Sequence, residues 1–220
     1  PDVPTIFMGT RGAMNFDLEV DLRKGDHHSG NWGGVLPDPA VILVNALATI
    51  SNNRGEIQIP EWRPTSLTDD ISKILNNLPL ENSGDAKVDL NWGESDLTPL
   101  ERLYGWNSFS ILSLTSGNQA KAVNAISGKA KASCQLRFVV GTDQKDIFPA
   151  LRRHLNRHGL QAVEIVQTEG NPFPATRLDI NNPWLKFVAK SLKKTCGQNI
   201  DLLPNIGGSL PNDCFAEVLD

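Results

Sequence analysis

No stretch of this chain is apolar for long enough to cross a bilayer as a helix. A membrane-spanning helix needs about 18 or more consecutive apolar residues, and the longest unbroken run is Ala40–Val44. Cysteine is scarce. Cys134, Cys196 and Cys214 are odd in number, far apart and without C-x-x-C spacing. That argues against a disulfide framework or a zinc ribbon and makes a reducing, cytoplasmic compartment the expectation. Histidine is limited to His27, His28, His154 and His158. An excess of positive charge is missing too. The 220 residues carry a net charge of -4, which argues against a nucleic-acid surface. What remains is ordinary globular material: at 40 % hydrophobic and 21 % charged residues, the chain can build a core and is not a disordered composition.

Two segments alternate at strict period two, the signature of half-buried strands. In Ala13 to Arg23, Met14, Phe16, Leu18, Val20 and Leu22 alternate with polar residues. In Lys129 to Val140, Ala130, Ala132, Cys134, Leu136, Phe138 and Val140 do the same. Pro37 and Pro39 lead into an apolar helix ending near Ile50, and Asn52-Asn53-Arg54-Gly55 stops it. Residues 55–106 are less regular and read as an insertion. It has a short strand at Glu56 to Pro60, a helix from Thr68 to Leu78, and a capping box at Thr98-Pro99-Leu100-Glu101. Ser108 to Thr115 reads as a strand, Gly117 to Ser127 as a polar loop, Asp143 to His158 as an amphipathic helix, and Gln161 to Gln167 as a strand. The order strand, helix, insertion, strand, strand, helix, strand predicts an α+β, ferredoxin-like split βαβ domain. One antiparallel sheet would carry two helices on one face, with the long insertion after the first helix. Asn171-Pro172-Phe173-Pro174 reads as a linker. Beyond it come a helix capped by Asn182 and Pro183, a short strand at Asp201-Leu202-Leu203, and a turn at Gly207–Pro211.

Chemistry-bearing residues are few. His154 and His158 stand four apart on a helix, a spacing that can hold a metal, but Arg152, Arg153 and Arg157 surround them and no carboxylate completes a set. They read as a solvated basic face. Cys134 falls on the apolar side of its strand and reads as core. Asp69, Asp70, Glu94 and Asp96 read as solvated carboxylates. The run Gly25-Asp26-His27-His28-Ser29-Gly30-Asn31-Trp32-Gly33-Gly34 holds imidazoles in a glycine-rich turn after a strand. An imidazole N–H there can stabilise an oxyanion, although spacing alone equally allows a turn histidine with no role. Arg137, on the polar side of its strand, is either a carboxylate clamp or an exposed strand arginine. Gly207-Gly208-Ser209 offers backbone N–H groups and a hydroxyl to an anion.

Arg11-Gly12, then Asp26-His27-His28-Ser29-Gly30, Trp32-Gly33-Gly34 and Pro39-Ala40, resemble the R-G…D-x-H-S-G-x-(F/W)-G-G…P run of the aminoacylase/carnosinase family of zinc peptidases. Asn124-Ala125-Ile126-Ser127-Gly128 is similar to its N-x-I-P-G, with Ser127 in place of proline. Gly207-Gly208-Ser209-Leu210-Pro211 is similar to its G-G-S-(I/L)-P. The resemblance implies a dimerisation lid over residues 1–170 and a piece of the catalytic domain over 171–220. It implies a hydrolase with two zinc ions acting on a dipeptide or N-acyl amino acid, in the carnosinase-like dipeptidase branch. No residue here matches the family's metal ligands or catalytic glutamate, so no metal site is expected in this chain and the fragment alone is expected to be inactive. By the same resemblance His28 stabilises the oxyanion in the partner's site of a homodimer. Asn124, Arg137, Gly207, Gly208 and Ser209 bind substrate, and neither nucleic acid nor a membrane is a partner. The competing reading is a non-catalytic ferredoxin-like module that dimerises or binds a small ligand.

Overall fold

A computed structural model describes residues 3–80, 87–168 and 173–219. In chain order the strands are β1 (Thr5–Phe7), β2 (Gly9–Thr10), β3 (Gly12–Asp21), β4 (His27–His28), β5 (Ser108–Ser116), β6 (Ala125–Ile126), β7 (Lys129–Phe138), β8 (Glu164–Gln167), β9 (Thr176–Arg177) and β10 (Asp201–Leu203). The α-helices are α1 (Ser29–Trp32), α2 (Pro39–Ile50), α3 (Asp69–Asn76), α4 (Ile147–Arg157) and α5 (Pro183–Cys196).

The two alternating segments become neighbours. β3 and β7 pair antiparallel from Gly12–Phe138 to Asp21–Lys129 without a break. β5 adds to β7 with a bulge at Leu112, and β8 adds to β3, giving a four-stranded antiparallel sheet in the order β5-β7-β3-β8. Period two then sorts the side chains. Phe16, Leu18 and Val20 of β3 and Ala132, Cys134 and Leu136 of β7 face one way, under Leu43, Ala46 and Ile50 of α2 and Ala150, Leu151 and Leu155 of α4. The opposite face is polar. There Lys131 reaches Asp17 at 2.7 Å and Glu19 at 2.9 Å. The hydrogen bonds from Lys131 and Ser133 outweigh burial and hold the Asp17 carboxyl below its ordinary range.

Helix boundaries follow local chemistry. Asp38 caps α2 by accepting from the Ala40 N–H at 2.8 Å, with Pro39 at the first helical position. Thr68 caps α3, and Asn182 caps α5. The capping box at Thr98 forms reciprocally: the Thr98 N–H donates to Glu101 Oε2 at 2.8 Å and the Glu101 N–H to Thr98 Oγ1 at 3.4 Å. It opens a single π turn, Glu101–Gly105.

Several expectations need correction. Residues 55–106 do fall between α2 and β5 in the chain, but part of the segment builds the core itself. Ile57, Ile59 and Trp62 are fully buried between α2 and α4, and Trp62 donates its indole N–H to the Ile147 carbonyl at 3.0 Å. Glu56 to Pro60 makes only an isolated bridge from Ile57 to Ser51 before a 3-10 turn at Pro60–Trp62, because its backbone is spent on turns. Glu94 is not simply solvated, since its carboxylate accepts the Ile57 N–H at 3.0 Å. The loop at 117–127 ends in a strand, β6, and the last strand of the sheet starts at Glu164 rather than Gln161. Asn171 and Pro172 of the expected linker lie outside the described residues. Phe173 bridges back to Ala13. The terminal segment also pairs with the start of the chain, β1 with β10 in parallel and β2 with β9 antiparallel. A second cluster, Met8, Ile71, Leu75 and Leu185, lies beneath those pairs.

His154 is the clearest correction. It is 3 % exposed, and its Nε2–H donates to the Thr49 carbonyl at 2.9 Å, satisfying an orphan acceptor in the last turn of α2. Burial first, then the charges of His158 and Arg157, hold its pKa below 6.5, against the opposing pull of that hydrogen bond and of Glu61. Protonation therefore favours the unfolded chain, so stability present above about pH 6.5 falls as pH drops below it and levels off under the folded-state value. Asp17 and Glu101, both held low, lose their contribution only in the more acidic carboxylate range. Urea midpoints at pH 7.5 and 5.5 should show a drop for the native chain and a smaller one for His154→Gln. Equal drops would contradict the assignment.

Candidate functional site

The sequence-predicted residues fall into two groups at opposite ends of the β3–β7 ladder. At the Asp21–Lys129 end, β4 pairs with β6, so that His28 faces Ala125, and the Ser29 N–H donates to the Asn124 carbonyl at 2.9 Å. His28 and Asn124 are therefore neighbours, and both are exposed. His28 Nδ1 accepts the Gly30 N–H at 3.1 Å. A neutral ring whose Nδ1 accepts carries its proton on Nε2, which leaves Nε2 as an outward donor. His27 instead sets its ring edge-on to Trp32 at 6.1 Å between centroids.

Asp26, Gly128, Arg23 and Gly25 hold this loop together, and sequence reasoning gave none of them this role. The Asp26 carboxylate accepts the Gly128 N–H at 3.3 Å. A Cβ on Gly128 would collide with the Arg23 and Gly25 carbonyls. Arg23 adds donations to the Pro37 carbonyl at 2.8 Å and the Ser127 carbonyl at 3.1 Å. Gly25, at φ 71°, makes the turn that brings the chain back. The signal was present, since the two motifs carry Asp26 and Gly128, but spacing does not reveal that the motifs touch.

At the Ala13–Arg137 end stands Arg137, half-buried on the polar face. Its Nε donates to Gln135 Oε1 at 3.0 Å and its Nη1 to Ser209 Oγ at 3.2 Å. Gln135 in turn donates to Asn15 Oδ1 at 2.8 Å. The Gly208 carbonyl accepts the Arg11 N–H at 3.3 Å, which docks the Gly207-Gly208-Ser209 turn against the sheet, and both glycines face open space. A cleft of about 760 Å³ opens here, with Arg137, Gln135, Asn15 and Ser209 among its walls. Arg11 lies behind Arg137. It is 5 % exposed, and burial first, then the Arg137 charge, lower its pKa to about 10.

Cys134 is core, as its alternation predicts. Burial and the Asp17 charge push its thiol up to about 12, so it is inert at neutral pH. Among the described residues no group of three His, Cys, Asp or Glu side chains is placed to hold a metal ion, and His154 spends Nε2 on Thr49. The donor set present here does not fit a zinc centre. Among the same residues no helix is long and apolar enough to cross a membrane.

The sequence matches one family model, that of the peptidase dimerisation domain, over residues 8–163. A cysteinylglycine-S-conjugate dipeptidase from Corynebacterium striatum is 22 % identical over 224 residues, covering 95 % of this chain and 46 % of that protein. The chain thus spans about half the length of that relative. Among solved structures, an M20 family metallo-carboxypeptidase from Sulfolobus solfataricus superposes with TM-score 0.77 at 20 % identity, covering 99 % of this chain and 50 % of that one. Human carnosine dipeptidase 1 superposes with TM-score 0.72 at 21 % identity, covering 99 % and 48 %. At these identities the superpositions establish a shared mixed α/β fold.

Replacing Gly128 by alanine should wedge β6 away from β4. Overpacking of this kind costs about 1–3 kcal/mol, so urea unfolding should show a loss in that range. A change under about 0.5 kcal/mol, the scatter of surface substitutions, would contradict the packing described.

Proposed function

Because this chain belongs to the peptidase dimerisation domain family of M20 metallopeptidases, we propose that it is the dimer-forming lid of a metal-dependent hydrolase of dipeptides or N-acyl amino acids. The four-stranded sheet with α2 and α4 on one face is read as the ferredoxin-like lid, residues 1–170. Residues 171–220 are read as part of the catalytic domain, with the β1–β10 and β2–β9 pairs as the seam. Zinc, implied by the family resemblance, would be held by residues outside this chain.

One observation carries the reading. From the Ala13–Arg137 pair to the Asp21–Lys129 pair the ladder runs about 27 Å at roughly 3.4 Å per residue, and His28 lies beyond its far end. A dipeptide is far shorter than that, so His28 and Arg137 of one chain cannot grip the same small substrate. Two copies related by a two-fold axis can bring one chain's His28 to the other's Arg137. In that arrangement Arg137, aligned by Gln135 and flanked by Ser209 and the Gly207-Gly208 backbone, holds the substrate carboxylate. The partner's His28, with Asn124 beside it, donates Nε2–H to the oxygen of the scissile carbonyl as negative charge develops there.

The surface supports a second copy. Helix α2 carries no charged residue, and on its outer side Val41 and Val44 are 57 % and 49 % exposed. Asn45, also exposed on that side, turns its amide back onto the Val41 carbonyl at 2.8 Å. β5, the neighbouring edge strand, exposes Ile111, Leu112 and Leu114 and leaves one row of backbone groups unpaired in the sheet.

Light scattering at micromolar concentration should report twice 24.0 kDa, and Val44→Glu should return the monomer. In the longer protein, His28→Ala should lower kcat by about 10²–10³-fold without changing that mass. A native monomer, or a His28→Ala protein with unchanged kcat, would contradict the reading.

A further inference from the structure

Behind Arg137 sits a second guanidinium that no carboxylate among the described residues neutralises. Arg11 stands one residue before β3, and its side chain reaches Ser108, the β5 residue paired with Arg137. Its Nη2 donates to the Trp106 carbonyl at 3.2 Å, Ser108 Oγ at 2.9 Å and the Arg137 carbonyl at 3.4 Å, all neutral acceptors. Its Nε is buried with no hydrogen-bond partner among the described residues. Among the described residues neither Arg11 nor Arg137 makes an ion pair, and no Asp or Glu lines the cleft in front of them. A purely structural role would be served better by a carboxylate partner or an apolar side chain, because a buried charge with only neutral acceptors is costly. Its lowered pKa, about 10, still leaves Arg11 cationic at neutral pH.

We propose that Arg11 is a specificity-determining charge: it adds to Arg137 a second, buried positive charge that is relieved when a ligand carboxylate binds, so this end of the sheet selects acyl amino acids with a free carboxylate over their uncharged amides. The inference rests on the reading of Arg137 as the carboxylate clamp. Arg137 touches the ligand and supplies direction through its fork. Arg11 does not touch it; it acts through the field it sets up in a region screened from water.

The test measures binding by this chain of N-acetylglycine and N-acetylglycinamide, followed by NMR titration. The native chain should bind the acid with Kd at least ~10-fold lower than the amide. Arg11→Met should bring the two within about threefold by weakening the acid, leave the amide within about twofold, and preserve the melting temperature. Arg11→Lys keeps the charge without the fork and should preserve the native ratio. Should Arg11→Met fail to fold, Arg11→Lys decides alone: a preserved ratio supports the inference and a lost ratio overturns it. A native ratio in folded Arg11→Met overturns the inference while the clamp stands, provided Arg137→Met abolishes the ratio. A ratio that survives Arg137→Met, or no saturable binding of the acid to the native chain, overturns both.

Discussion

Everything in this domain hangs on the unbroken antiparallel register between β3 and β7. Because side chains alternate, one register sets two faces at once. Phe16, Leu18, Cys134 and Leu136 become a floor for α2, α4 and Trp62. Asn15, Gln135 and Arg137 become a polar surface at one end, and Asp17, Glu19 and Lys131 an ion-paired one in the middle. A slip of β7 by one residue would put Arg137 under the helices and Leu136 into solvent, so the placement of Arg137 and the core are specified together.

The same ladder also separates the two halves of the candidate site. It ends at Asp21 and Lys129, and from those ends the chain enters the two turns that carry His28 and Asn124, joined by β4–β6 pairing and by the Asp26–Gly128 contact. At its other end it holds Arg137 against Ser209 and Arg11. On the proposed reading the length of the strands is a functional quantity: it would keep His28 and Arg137 too far apart to act on one small molecule within a chain, and association would become part of the chemistry. The apolar outer side of α2 and the edge of β5 lie where such association would be paid for in buried surface.

Much of the fold was legible in sequence because period two is a strong local signal. Met14 to Val20 and Ala130 to Phe138 are strands with the faces expected, and Pro39, Thr68 and Asn182-Pro183 mark helix starts. Long-range effects were not legible. Ile57, Ile59 and Trp62 sit in an irregular segment with no period, and only the space between α2 and α4 makes them core. His154 looked solvated because three arginines flank it in sequence. On the helix it faces inward, and the Thr49 carbonyl gives it a partner that spacing could not predict. At the candidate site the residue types in the two glycine-rich turns were readable. Their separation by the length of the sheet, and the presence of Arg11 behind Arg137, were not.

The central claim is that a complete site needs His28 from one chain and Arg137 from another, and subunit mixing tests it most directly. His28→Ala and Arg137→Ala versions of the longer protein would each be nearly inactive as homodimers. In a mixed dimer one site regains both groups. The account predicts that activity on a dipeptide or N-acyl amino acid returns after subunit exchange. At equal amounts, about half the dimers would be mixed, and each would have one of two sites complete, so roughly a quarter of native activity is expected if subunits pair at random. A mixture that exchanges subunits, as shown by mass, yet stays as inactive as its parents would contradict it.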